Sequence, residues 1–269
     1  MYPFVFKTGA YALRWENVMI LLGIVAGLWL AYRRAAPKGR AYQDMLLDLA
    51  LWLVPAGIVG GRVWEVMWTW SNYADQPWEV FALWNGGMSI QGNVLGGLVA
   101  AVIFARRRQI RLWELLDVLA PGVLLGQAIG RIGCLTSGDA FGRPVAEVPW
   151  WPQWLGVVYH PESPAAFYFG STPLIPAEAL EGLANFLILG LLLWYRPKRE
   201  VPGRVVLVYA IAYSAVRFSL EFLRADSLLL GGMKVAQLLS VAVIFVGAVL
   251  LTQQYRKHHS IENTKATGL

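Results

Sequence analysis

Apolar runs separated by short charged clusters recur along the chain, at about 17–32, 45–68, 88–105, 113–129, 175–194, 205–223 and 235–251. Most approach the ~20 residues that a helix needs to cross a bilayer. Glycines interrupt the second and third runs, which blurs their ends by several residues. The pattern predicts an all-α polytopic membrane protein with seven transmembrane helices in a single membrane domain over 1–269. Between the fourth and fifth runs the periodicity stops. Residues 133–174 carry Pro144, Pro149, Pro152, Pro161, Pro164 and Pro173 among Trp150, Trp151, Trp154, Tyr159, Phe167 and Tyr168. Prolines at that density end helices, and such aromatics favour a membrane interface. A small head on the outer leaflet or in the periplasm is predicted there. Residues 1–15 and 69–87, with Trp70, Tyr73, Trp78 and Trp84, are predicted to form arms at the same level.

Composition agrees with the pattern. With 57% hydrophobic and 15% charged residues the chain is too apolar for an ordinary soluble domain. Charge then supplies the orientation. Arg33, Arg34, Lys38 and Arg40 follow the first run; Arg106, Arg107, Arg108 and Arg111 follow the third; Arg196, Lys198, Arg199 and Arg204 follow the fifth; Arg256, Lys257 and Lys265 close the chain. All fall on one side of a seven-span arrangement, which the positive-inside rule makes cytoplasmic. The N-terminus is then outside and the C-terminus cytoplasmic. The net charge of +6 is therefore read as topology, and no basic tract with interleaved aromatics suggests a nucleic-acid partner. One cysteine excludes an internal disulfide, and three histidines give no metal-ligand spacing. Residues 1–15 lack the charge-then-apolar pattern of a removable signal peptide.

The candidate chemistry lies in Gly130-Arg131-Ile132-Gly133-Cys134-Leu135-Thr136-Ser137-Gly138-Asp139-Ala140-Phe141-Gly142-Arg143. Arginine is costly at membrane depth and is rarely placed there without a task. Its guanidinium is a rigid fork of donors suited to phosphate oxygens, and glycines let backbone N–H groups approach an anion. The segment reads as a phosphate-binding turn at a membrane boundary. Arg62, after Gly60-Gly61, and Arg217 likewise interrupt apolar runs.

These residues resemble the prolipoprotein diacylglyceryl transferase family over nearly the whole chain. The family signature Gly-Arg-x-Gly-Asn-Phe-x-Asn-Gly-Glu-x-x-Gly-Arg aligns with 130–143, matching at Arg131, Gly133, Gly138, Gly142 and Arg143, with Asp139 in place of glutamate. Trp84-Asn85-Gly86-Gly87-Met88-Ser89 is similar to the family's Trp-Asp-Gly-Gly-Met-Ser; Gly60-Gly61-Arg62 matches a second-span motif; Arg217, Glu221, Phe222 and Arg224 match Arg-x-x-x-Glu-Phe-x-Arg. The departures are Gln91 for a histidine proposed as catalytic, Cys134 for the signature asparagine, Glu16 for a tyrosine, and Ile175-Pro176-Ala177-Glu178-Ala179-Leu180-Glu181 for His-Pro-Ser-Gln-Leu-Tyr-Glu.

The resemblance implies a multi-pass enzyme of the bacterial inner membrane, with no cofactor. It would transfer the diacylglyceryl group of phosphatidylglycerol to the lipobox cysteine of prolipoprotein signal peptides, forming a thioether and releasing glycerol phosphate. Arg131 and Arg217 are then the expected catalytic groups. Arg143 and the glycines Gly133, Gly138 and Gly142 are expected to join them in holding lipid phosphate. Arg62, Gln91, Cys134, Glu221 and Arg224 are expected in support. The thiol must lose its proton, and glutamine cannot serve as base at neutral pH. Glu16 and Asp139 are the leading candidate acceptors, with Glu65, Glu178 and Glu181 behind them. The alternative, motivated by the missing histidine, is a non-catalytic protein of the same fold that binds or moves anionic phospholipid.

Overall fold

The computed structural model describes residues 2–8, 11–83, 87–194, 201–227 and 229–266. The order of regular elements is β1 (Phe4–Thr8), β2 (Tyr11–Arg14), α1 (Trp15–Ala35), α2 (Arg40–Trp68), α3 (Ile90–Arg107), α4 (Leu112–Ser137), α5 (Pro164–Phe169), α6 (Ala177–Trp194), α7 (Arg204–Leu220), β3 (Leu229–Leu230), β4 (Met233–Lys234) and α8 (Val235–Ala266). Six stretches, Trp15–Lys38, Arg40–Trp68, Leu112–Ser137, Ala177–Trp194, Arg204–Leu223 and Val235–Arg256, are long and apolar enough to cross a membrane. This is a mostly helical, multi-pass membrane protein. α3 occupies the third predicted run but falls short of the same apolarity, because its 18 residues include Arg106 and Arg107 as well as Gln91 and Asn93.

Two details depart from the all-helical expectation. β1 and β2 pair antiparallel, as do β3 and β4. The second hairpin turns on Gly231 and Gly232, both at positive φ (57° and 81°), the backbone that a tight two-residue turn requires. The other departure is at α4, which runs on to Ser137, so that residues 130–137 are helix rather than turn or head.

The described chain divides into two compact units, Tyr32–Leu115 and the remainder, with the divisions falling inside α1 and α4. In the Tyr32–Leu115 unit α2 and α3 pack antiparallel through small residues. A Cβ added at Gly92 would lie 2.3 Å from the Gly60 carbonyl oxygen, and one at Gly96 would lie 2.2 Å from that of Ala56. Without a hydrophobic drive between helices in lipid, such close backbone approach is what maximises dispersion contact. α2 continues through Pro55, a break that packed helices in a membrane tolerate.

The larger unit repeats the device. α1 and α4 run antiparallel with Gly23 against Gly126 and Gly27 against Gly122, where an added Cβ at Gly27 would meet the Gly122 carbonyl oxygen at 2.5 Å. Between α4 and α6 the proline-rich segment builds a small core of Phe141, Tyr159, Ala165 and Leu174 beside a second of Val145, Val148 and Ile175. Ser163 caps α5, its Oγ accepting from the Ala166 amide at 3.2 Å. Tyr159 donates to Glu178 of α6 at 2.5 Å. Burial, then the neighbouring carboxylate, pushes the Tyr159 phenol above its usual range.

Candidate active site

Three helices of the larger unit bring charge to one point. On α4, Arg131 lies one turn beyond Gln127, and Cys134 one turn further, with its Sγ 3.9 Å from Arg131 Nη1. On α6, Glu178, Glu181 and Asn185 share a face and are buried. α7 carries Arg217 in its last turn, with Glu221 four residues on in the following 3-10 turn (Glu221–Leu223) and Arg224 just after it. Gly182 allows α6 to close on α4: a Cβ there would lie 3.2 Å from Arg131 Cβ.

Glu181 is the hub. Its Oε1 accepts from Arg131 Nη2 at 2.6 Å and from the Tyr213 hydroxyl at 3.0 Å; its Oε2 lies 3.5 Å from Arg217 Nη1 and 3.6 Å from Arg224 Nη1. Arg217 Nη2 also reaches Glu221 at 3.1 Å, and Arg224 is held by Asp226 through Nε and Nη2. The side chain of Glu181 is 1% exposed, whereas Arg131 and Arg217 keep 16% and 21%. The carboxylate is therefore the buried anchor, and the two arginine side chains are less completely covered than it is. Each retains N–H groups beyond those committed to carboxylates, as a fork of five donors permits.

The structure unites Arg131, Arg217, Glu221 and Arg224 as the sequence led one to expect, but rearranges the rest. Arg143 does not join the pairing on Glu181; its side chain is 44% exposed and paired with Glu147 at 3.0 Å. The three glycines assigned to phosphate have other tasks. Gly133 lies within α4, where an added Cβ would meet Glu16 Cα at 2.9 Å, so it is a contact between helices. Gly138, at φ +67°, ends α4 and donates its amide to the Cys134 carbonyl at 2.8 Å. Gly142 donates to the Ile175 carbonyl at 3.0 Å. Amides already bonded to carbonyls are not free for an anion. The predicted phosphate turn is replaced by a helix end that delivers arginine.

The two leading candidate acceptors lie on the same unit, whereas Glu65 lies on α2 in the Tyr32–Leu115 unit. Glu16, in the first turn of α1, packs against Gly133; Asp139 accepts from Ser137 Oγ at 3.2 Å; and both are electrostatically coupled to Cys134. Sequence reasoning placed Glu181 only among five carboxylates and passed over Tyr213. A signal existed in the spacing Tyr209, Tyr213, Arg217 on α7 and Gln127, Arg131 on α4, a polar stripe at helical period; the Tyr209 hydroxyl indeed donates to Gln127 at 2.9 Å.

In the Tyr32–Leu115 unit, Arg62 is 5% exposed and clasps the segment before α3. It donates to the carbonyls of Glu79 at 2.6 Å, Val80 at 2.8 Å and Gly87 at 2.8 Å, and lies over the Tyr73 ring. Its support is to backbone. Gln91 sits in the first turn of α3, where its Oε1 accepts from Ser89 Oγ at 2.6 Å. Trp84, Asn85 and Gly86 of the Trp-Asn-Gly-Gly-Met-Ser motif, and Arg196, Lys198 and Arg199 of the basic cluster after α6, lie outside the described residues.

Comparison with known proteins bears directly on this site. A family model described as prolipoprotein diacylglyceryl transferase matches residues 3–253. Relatives named phosphatidylglycerol–prolipoprotein diacylglyceryl transferase include one from Gloeobacter violaceus, 40% identical over 250 residues, covering 92% of this chain and 90% of the relative. Another from Acaryochloris marina is 37% identical over 265 residues, covering 98% and 94%. One from Streptococcus agalactiae is 33% identical over 259 residues, covering 96% and 97%. With matches of that extent joined to the motif residues around Arg131 and Arg217, the chain belongs to the prolipoprotein diacylglyceryl transferase family.

Proposed function

We propose that this protein transfers the diacylglyceryl group of phosphatidylglycerol to the lipobox cysteine of prolipoprotein signal peptides in the bacterial inner membrane. The sulfur of the peptide thiolate attacks the glyceryl carbon that bears the phosphate. The carbon–oxygen bond breaks, its electron pair passes to the phosphate oxygen, and glycerol phosphate leaves. Negative charge therefore grows on the leaving oxygen, and preorganised donors in a site of low dielectric lower that barrier most. The observation that carries the reading is the pair Arg131 and Arg217, both anchored on buried Glu181 and both only partly buried themselves. Glu16 or Asp139 takes the thiol proton in this scheme, and Glu181 and Glu221 hold the two arginines in place, with Arg224 sharing Glu181. Gln91 orients substrate without acting as base.

The same reading carries the finer architecture: α3 as a seventh span, the N-terminus outside, the C-terminus cytoplasmic, and the head of residues 138–174 at the outer leaflet. Purified protein in phosphatidylglycerol proteoliposomes, given a lipobox peptide, should yield a peptide heavier by one diacylglyceryl group, read by mass spectrometry. No thioether at any pH, with phosphatidylglycerol binding retained and dependent on Arg131, would replace the transferase with the lipid-binding alternative.

A further inference from the structure

A second basic site lies in the larger unit, where the head meets the end of α7 and the β3–β4 hairpin. Gly142 and Arg224 form an antiparallel bridge, and the Arg143 amide donates to the Leu223 carbonyl at 2.8 Å. That register sets Arg143 next to Arg224. Lys234, the last residue of β4, is drawn to the same place because its Nζ donates to the carbonyls of Glu221 at 2.5 Å and Arg224 at 3.2 Å. The three cations line a cavity of about 430 Å³ with Glu147, between Phe169 and Phe222.

The lining is richer in donors than its internal partners require. Arg143 commits Nε and Nη2 to Glu147, at 3.2 and 3.0 Å, which leaves Nη1. Lys234 commits two of its three protons to carbonyls and none to a carboxylate oxygen. Burial above all, with the charges of Arg143 and Arg224 adding and those of Glu221 and Asp226 opposing, holds the Lys234 ammonium below the ordinary lysine range. An anion entering the cavity would give this lysine a directly hydrogen-bonded counter-charge, which no carboxylate among the described residues supplies. Arg224 joins the cavity to the arginine cluster, since it lines the one and its Nη1 lies 3.6 Å from Glu181 in the other.

We infer that this cavity receives the phosphate monoester released by the transfer, glycerol phosphate, on its way out of the protein. The inference rests on the proposed function for the identity of the product. A monoester carries about −1.5 to −2 charge at neutral pH and three strong acceptor oxygens, whereas the phosphodiester of the lipid carries a single charge. Arg143 and Lys234 share one lining carboxylate, Glu147, while Arg224 is already held by Asp226, and a doubly charged ligand suits that surplus better than a singly charged one. Partition toward them would draw the product from Arg131 and Arg217 and clear those donors for the next lipid.

The test is calorimetric titration of purified full-length protein in detergent with glycerol 1-phosphate, inorganic phosphate and the soluble diester glycerophosphoglycerol. Glycerol 1-phosphate should bind more tightly than the diester. Lys234→Met and Arg143→Gln should each raise its Kd by about tenfold, the scale of one charge-assisted hydrogen bond. Lys7→Met, at an exposed cation paired with Glu162 outside the cavity lining, should leave that Kd near wild type. Two outcomes overturn the inference: a Kd unmoved by both Lys234→Met and Arg143→Gln in protein that still elutes as one folded species, or diester binding as tight as the monoester, which would assign the cavity to a lipid headgroup. Thioether formation is a separate readout, and its absence with this binding intact would count against the transferase and not against the anion site.

Discussion

Replacing Glu181 with glutamine removes the buried charge on which three guanidiniums converge. Arg131, Arg217 and Arg224 face Glu181, Glu221 and Asp226, so the variant leaves one positive charge uncompensated beside a side chain only 1% exposed. At an effective dielectric of ~20, a unit pair about 4 Å apart is worth roughly 4 kcal/mol, and breaking one side of a buried pair costs about 3–5 kcal/mol. Part of that loss should appear as lower resistance to thermal or detergent unfolding. The rest should appear in the chemistry. Arg131 loses its 2.6 Å anchor and Arg217 its 3.5 Å contact, so both donors are misplaced when charge develops on the leaving oxygen. A misplaced donor of this kind commonly costs about 100- to 1,000-fold in kcat. The KM for phosphatidylglycerol should not rise, because surplus positive charge favours an anionic ground state as much as it disorders the transition state. Thioether formation followed in proteoliposomes over a range of lipid fractions separates the two effects. A kcat within about threefold of wild type, at unchanged stability, would refute the anchoring role of Glu181.

Three further outcomes are expected. Gly122→Val should lower stability by about 1–3 kcal/mol, since its Cβ would fall 2.3 Å from the Gly27 carbonyl oxygen and force α1 and α4 apart; unfolding in graded detergent would read this, and an unchanged midpoint would show that the contact does not limit helix approach. Gln91→Ala should reduce turnover by less than about tenfold and Gln91→His should be tolerated, because a general base contributes about 100- to 10,000-fold and Gln91 is not one; in the same pH series, a basic limb lost on Glu16→Gln would identify that carboxylate as the acceptor. Reporter fusions should place positions 36, 109 and 200 in the cytoplasm and 75 and 150 outside, and a cytoplasmic signal at 150 would overturn both the topology and the side from which the substrate peptide is drawn.

The helices were legible because apolar run length and basic clusters are read directly from residue type. Arg131 and Arg217 were found because guanidinium is conspicuous in an apolar run, and the family motifs marked both. What burial decides was not legible. One cue separates Glu181 from Glu178 and Glu65, its match to the closing glutamate of the family's His-Pro-Ser-Gln-Leu-Tyr-Glu, but only the packing of α4, α6 and α7 makes it the anchor. The glycines between 130 and 142 misled for a physical reason. In water glycine marks turns, but between membrane helices it marks contact, and Gly133 serves the second purpose while Gly138 serves the first. The hairpin at Gly231-Gly232 carried the ordinary turn signal but was hidden by the apolar residues on either side.

Two arginines on different helices acting on one leaving phosphate are the centre of this mechanism. The most direct measurement is the single-turnover rate of thioether formation, with glycerol phosphate release counted in parallel, for wild type, Arg131→Ala, Arg131→Lys, Arg217→Ala and Arg217→Lys in phosphatidylglycerol proteoliposomes. One glycerol phosphate per thioether is expected in the wild type. Each alanine variant should lose at least about 100-fold in rate while remaining folded, with only partial recovery in the lysine variants, because a point charge does not reproduce the bidentate fork. Near wild-type turnover in either alanine variant, or thioether formed without stoichiometric glycerol phosphate, would contradict the mechanism.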